Sequence, residues 1–235
     1  MRRRDFCLKS VSTAGALGFA AAPAPAQQTR DEREEQYRGF AGRSQARSMV
    51  ISPLGIAATS QALASQAGAQ VLARGGSAVD AAIAANAALG VVEPMMNGIG
   101  GDLFALVWEA KTGKLTGINA SGWAPARLTI DFLKSQGAST MPHAGIHSVS
   151  VPGCVAGWDQ LHRRFGRLPW KDLFQPAIYF ATNGFPVTEL IQAAWNGQTA
   201  KLQADPNGRR LFLDHGNAAR VGQIFHNSEL AGALK

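Results

Sequence analysis

The spacing of apolar positions sets out the first elements of the chain. Leu63, Ala67, Val71 and Leu72 recur at helical intervals between Ser60 and Leu72, and Arg74-Gly75-Gly76 supplies a glycine stop. Ser77 then predicts an N-cap, with Asp80 three residues on at the favourable end of a second helix over 78–91. That helix is largely alanine with Ile83, Leu89 and Val91, so it is expected to press closely against its neighbours. Leu103–Trp108 is next, a continuous apolar run, and after Lys111-Thr112-Gly113 comes Leu115–Asn119. The pair reads as a β-hairpin whose first strand is buried on both faces. A short strand over 148–151 follows, then helices over 157–165 and 170–182 separated by Gly166-Arg167-Leu168-Pro169. Thr188 opens a further helix through Trp195, and the pattern weakens beyond Asp205-Pro206-Asn207-Gly208. Helix pair, hairpin, then helices is an α+β order, not an alternation of βαβ units. No internal repeat is visible.

The first residues follow a different logic. Arg3-Arg4-Asp5-Phe6-Cys7-Leu8-Lys9 has the form of a twin-arginine export signal, an apolar stretch diluted by Gly and Ala runs over 11–22, and Ala24-Pro25-Ala26 gives a small-x-small cleavage site. Residues 1–26 therefore predict a signal peptide and a periplasmic or secreted mature protein. A membrane anchor needs about 20 strongly apolar residues, and this run is shorter and carries Ser12, Thr13, Gly15 and Gly18. No other segment is apolar enough to span a bilayer, so stable membrane insertion is not expected. Residues 27–47, dense in charge around Arg30–Glu35, read as a flexible lead-in to a packed domain over 48–235.

The net charge of +7 changes little once it is located. Arg2, Arg3, Arg4 and Lys9, against Asp5, supply +3 of it within the predicted signal. The remaining basic pairs, Arg163-Arg164 and Arg209-Arg210, are isolated and not interleaved with aromatics, which argues against a nucleic-acid partner. Of the two cysteines Cys7 lies in the predicted signal, leaving Cys154 as a buried structural thiol in apolar surroundings. His143, His147, His162, His215 and His226 have neither metal-ligand spacing nor a cysteine partner, so neither metal nor other cofactor is expected. Asp159 and His162, one helical turn apart, read as a surface pair.

The most informative stretch is Glu93-Pro94-Met95-Met96-Asn97-Gly98-Ile99-Gly100-Gly101-Asp102-Leu103-Phe104. Three glycines in four positions let the backbone turn sharply and approach another group closely. A dinucleotide fingerprint would need a strand before it and a helix after it, and here the order is reversed; no P-loop Lys-Ser/Thr follows.

An ordered set of segments resembles the gamma-glutamyltransferase family. They are Leu63–Gly68, Val71–Ala84, Leu89-Gly90-Val91-Val92-Glu93-Pro94 and the Gly98–Leu103 turn, then Ala124-Pro125-Ala126, Val151-Pro152-Gly153 with Gly157-Trp158, Phe165–Trp170, Pro176-Ala177-Ile178 and Ala181–Val187. The resemblance covers nearly everything from Met49 onward. It implies an α+β, αββα sandwich of the N-terminal-nucleophile hydrolase type, incomplete in this chain. It also implies a precursor that cleaves itself before a Thr, whose hydroxyl attacks a γ-glutamyl amide while its own amine takes the proton. The family's Thr-Thr-His type motif is absent between Met1 and Lys235, so the chain is expected to be the large-subunit part, inactive alone, whose partner is the missing small-subunit part of the same precursor. The substrate implied is a small γ-glutamyl or related acyl amide.

Two departures bear on specificity. By the resemblance, an Arg that pairs with the donor's α-carboxylate stands three residues before Ala-Pro, a place Ser121 occupies here in Asn119-Ala120-Ser121-Gly122-Trp123-Ala124-Pro125. Asp102 adds a carboxylate where the family often has a further Gly, either to bind an ammonium or to cap a turn. Ser121, Gly122, Trp123 and Asp102 are therefore the candidate substrate-binding residues; Trp123 either lines a pocket mouth or packs against Pro125. Both changes point to the divergent gamma-glutamyltransferase-like branch, with acylase-like members. The alternatives left open are a non-catalytic periplasmic binding remnant and an acylase acting on another acyl side chain.

Overall fold

Helix α1 (Ala62–Ala73) and helix α2 (Ala78–Val92) form the first packed pair of a computed structural model that describes residues 49–235. The predicted signal peptide and lead-in lie outside the described residues. Residues Ile51–Lys235 form one compact unit. Gly75 takes a left-handed turn (φ 85°) after α1, and the N–H groups of Gly75 and Gly76 return to the carbonyls of Leu72 and Val71. This is the glycine-stop geometry that satisfies the last carbonyls of a helix. Ser77 caps α2 with a reciprocal capping box: its hydroxyl accepts from the Asp80 N–H at 3.0 Å, and the Asp80 carboxylate accepts from the Ser77 N–H at 2.8 Å. Alanine on most faces lets α2 be approached from several sides. Val79, Ala81, Ile83, Ala84, Ala88 and Val91 are all buried.

The hairpin pairs strand β1 (Leu103–Glu109) with strand β2 (Lys114–Ala120), antiparallel, in the register Leu103↔Ala120 through Glu109↔Lys114. Its inner face (Leu103, Ala105, Val107 and Ile118) packs onto the core beside helix α4 (Cys154–Phe165), which contacts both strands. Gly157 is the contact point: a Cβ there would stand 2.5 Å from Leu103 Cδ2 and 2.8 Å from the Ala120 Cβ. The first strand is not buried on both faces, as its unbroken apolar run suggested. Phe104, Leu106 and Trp108 are 66, 77 and 62% exposed, with Leu115 beside Trp108 on the same side. Alternation along a strand puts every second side chain on the far face, and no described element covers that face.

Helix α3 (Ile130–Ser135) lies between β2 and α4 in sequence. The strand expected over 148–151 is absent: a 3₁₀ turn spans Ile146–Ser148, and residues 150–153 run beside 121–123, with the Val151 N–H donating to the Trp123 carbonyl at 2.9 Å. Pro152 has no N–H with which to continue a ladder. The helix expected over 170–182 is two pieces, α5 (Trp170–Leu173) and α6 (Gln175–Asn183), divided at Phe174. Pro176 falls in the first turn of α6, where its missing N–H costs nothing, whereas one continuous helix would have lost an interior bond.

Helix α7 (Glu189–Asn196) starts after Thr188 as expected. Beyond it stand three short helices the sequence pattern did not reveal: α8 (Thr199–Ala204), α9 (Pro206–Phe212) and α10 (Ser228–Ala233). A two-residue ladder joins β3 (Phe185–Pro186) to β4 (Ile224–Phe225). Phe185, Trp195, Phe212 and Phe225 meet edge-on or stacked with centroids 4.7–6.1 Å apart, and the Trp195 indole N–H donates to the Phe212 carbonyl at 3.0 Å. Helices and two small antiparallel sheets, each of two strands, make an α+β architecture among the described residues.

Candidate substrate-binding site

Three backbone segments converge at the open end of the hairpin. The Gly98–Asp102 turn enters β1, Ser121–Trp123 leaves β2, and Ser150–Cys154 leads into α4. The Gly101 carbonyl accepts from the N–H groups of both Gly153 (3.2 Å) and Cys154 (3.0 Å), which ties the glycine turn to the start of α4. Gly122 has φ 77°, and a Cβ on it would lie 1.7 Å from the Val151 carbonyl oxygen. Gly153 stands equally close, its Cβ position 2.2 Å from the Ala120 carbonyl oxygen. Only glycine permits such approaches, so both are structural requirements of this corner.

Asp102 and Ser121 lie one step past the last ladder pair, Leu103↔Ala120, and so stand across from each other at the mouth. The Ser150 hydroxyl lies between them, 3.2 Å from Asp102 Oδ1 and 3.1 Å from the Ser121 carbonyl oxygen. A hydroxyl has one proton to donate, so it cannot fully satisfy both acceptors, and the exposed Asp102 carboxylate keeps accepting capacity. No described Lys, Arg or His lies within ion-pairing distance of it. Trp123 is 85% exposed at the rim. The structure thus gathers Asp102, Ser121, Gly122 and Trp123 into one wall. Ser150 was not among the expected site residues. It comes from 29 and 48 positions away, and only the neighbouring Val151-Pro152-Gly153 motif hinted at its segment.

Directly behind the wall, Cys154 is buried, and its thiol is pushed up to about 11, first by burial and then by the charge of Asp102. Such a thiol stays protonated and is a poor nucleophile. Deeper still, Asp80 is completely buried. Its Oδ2 accepts from Ser77, Arg167 (2.9 Å) and Leu168 (3.2 Å) N–H groups, joining the α2 cap to the loop after α4. His162 is not paired with Asp159 at the surface. Arg163 takes Asp159 at 2.9 Å, while His162 turns inward with Nε2 2.8 Å from the Leu168 carbonyl and 3.9 Å from Asp80 Oδ1. The Trp158 indole N–H donates to Asn86 Oδ1 at 2.9 Å, fixing α4 to α2. None of these groups faces the wall; they hold its supports in place.

No group of three or more metal-ligating side chains occurs among the described residues. No helix of the described residues is long and apolar enough to cross a membrane. The largest cavity described, about 770 Å³, lies between α1 and α6, lined by Gln70, Arg74, Tyr179 and Asn183. It does not include the wall.

The sequence model of the gamma-glutamyltranspeptidase family matches residues 64–235. The chain belongs to that family. It is 38% identical over 187 residues to glutathione hydrolase 3 of Arabidopsis thaliana, covering 80% of this chain and 29% of that protein. It is also 38% identical over 187 residues to the glutathione hydrolase-like YwrD proenzyme of Bacillus subtilis, covering 79% of this chain and 34% of that protein. Among solved structures, cephalosporin acylase from Bacillus halodurans superposes with a TM-score of 0.77 at 39% identity, over 82% of this chain and 37% of that one. The chain spans about a third of the length of these relatives. Its fold is accordingly that of the matching part of the gamma-glutamyltranspeptidases and their acylase relatives, the N-terminal-nucleophile hydrolase type expected from the sequence.

Proposed function

We propose that this chain is the large-subunit portion of an exported gamma-glutamyltranspeptidase-like enzyme that hydrolyses or transfers γ-glutamyl or related acyl amides. The observation that carries the reading is the family match across residues 64–235, which contains the wall at the hairpin mouth. The nucleophile is an N-terminal Thr released by self-cleavage of a longer precursor. Its amine takes the hydroxyl proton, the hydroxyl oxygen attacks the acyl carbon, and an amine leaves. Water or an acceptor amine then resolves the acyl-enzyme. Asp102, Ser121, Gly122 and Trp123 form part of the surface against which the acyl group lies. The proenzyme relative supports a processed precursor with a second subunit. The 235 residues alone, which lack a Thr-Thr-His type motif, are inactive in this reading.

An acylase acting on a side chain other than γ-glutamyl is favoured by one specific observation. Ser121 stands where the resembled transferases hold a carboxylate-binding Arg. Incubating the complete precursor with γ-glutamyl and glutaryl anilides separates the two readings by which aniline is released. A precursor that neither cleaves itself nor releases either aniline overturns both.

Export by the twin-arginine route is part of the same proposal. Replacing Arg3 and Arg4 together with Lys should hold the protein in the cytoplasm, read by fractionation. Unchanged export of that variant would rule the route out.

A further inference from the structure

The charge at the hairpin mouth is the reverse of what recognition of a carboxylate requires. Asp102 and Ser121 face each other one step beyond the Leu103↔Ala120 pair, and the Asp102 carboxylate has no described cation within ion-pairing distance. Two backbone donors beside it are already committed: the N–H groups of Gly153 and Cys154, at the start of α4, both go to the Gly101 carbonyl. Asn119 Oδ1 accepts from the Ser121 N–H at 3.0 Å, which removes another. The wall offers two acceptors that share a single Ser150 proton: the Asp102 carboxylate and the Ser121 carbonyl.

We infer that this wall receives a protonated amine of the substrate, with Asp102 as the specificity-determining residue and Ser150 as its positioning residue. An ammonium group brings three donors and a positive charge, which matches a carboxylate and a carbonyl oxygen set a few ångströms apart. A substrate carboxylate would meet the like charge of Asp102 there, which is how a binding site rejects one partner while accepting another. The exposed indole of Trp123 at the rim gives the methylenes behind such an ammonium an apolar surface. The inference rests on the reading that this corner faces the acyl amide.

Two measurements test it independently. In the complete precursor, 5-aminovaleryl, valeryl and glutaryl anilides share a five-carbon acyl chain and differ only at its last carbon, which is an ammonium-bearing methylene, a methyl or a carboxylate. The aminovaleryl anilide should have the highest kcat/KM. Asp102→Asn should lower that value about tenfold through KM, a clearly larger loss than the valeryl anilide suffers. Equal loss for both anilides, or no loss for either, overturns the inference.

On the 235-residue chain itself, pentylammonium, pentanol and valerate are titrated while the Trp123 indole N–H and Ser150 amide resonances are followed. Pentylammonium alone should shift them, and Asp102→Asn or Asp102→Gly should abolish the shift. Indifference to the ligand's charge overturns the proposal even if the precursor is inert toward every anilide. Should all anilides fail while the ammonium still binds in an Asp102-dependent way, the enzymatic reading falls and the amine site stands.

Discussion

Gly122 shows what a single residue costs when backbone segments touch. Gly122→Ala would combine a left-handed backbone with a Cβ driven into the Val151 carbonyl, 1.7 Å away. The expected loss is about 3 kcal/mol, read as a lower denaturant midpoint, together with loss of the Ser150–Asp102 contact. Asp80 is the second such residue, since one buried carboxylate oxygen serves three N–H groups. Asp80→Ala should cost about 3–5 kcal/mol by leaving those donors unsatisfied. Ser77→Ala removes one capping bond and should cost about 1 kcal/mol. If the two variants melt alike, Asp80 is no more than a helix cap. The sequence made its capping role legible, because the capping box is local. Its bonds to Arg167 and Leu168 were not, since they bridge 87 and 88 positions.

Cys154 adds a pH dependence whose sign can be worked out. Its folded value, about 11, lies above its ordinary 9.0, so the folded state keeps the proton longer than the unfolded chain does. The stability this contributes is fully present below pH 9 and is lost as the pH rises toward 11. Denaturant midpoints measured across that window should fall, and Cys154→Ala should remove this part of the fall.

Among the elements, those with local signals were readable and those defined by distant partners were not. Helices α1 and α2 carry their periodicity, cap and glycine stop within themselves. The outer face of β1 shows the opposite situation. An unbroken apolar run identifies the strand but does not say which of its faces is covered, because the cover comes from elsewhere. The short helices after residue 204 lack an apolar stripe long enough to register, and depend on caps such as Asp205 and Asn227. A charge on either face of β1 should separate the two environments. In the 235-residue chain, Leu106→Lys should change stability by about 0.5 kcal/mol or less, whereas Val107→Lys, facing α4, should abolish cooperative melting. Equal effects would mean that the outer face is covered after all.

The whole molecule combines a helical body, legible from its pattern, with a mouth whose chemistry needed three dimensions. Asp102 and Ser121 could be picked out as departures from a resembled motif, yet only the hairpin register sets them face to face. Ser150 completes the corner from a segment that carried no such mark. The aromatic residues lend this arrangement a practical consequence. Trp158 and Trp195 are sealed in the core, while Trp108 and Trp123 stand in water on the hairpin and at its mouth. Emission from the first pair should be blue-shifted and shielded from acrylamide, and that from the second red-shifted and readily quenched. The chain thus contains its own optical gauge, one pair of indoles reporting whether the interior has melted and Trp123 reporting whether something has settled on the rim.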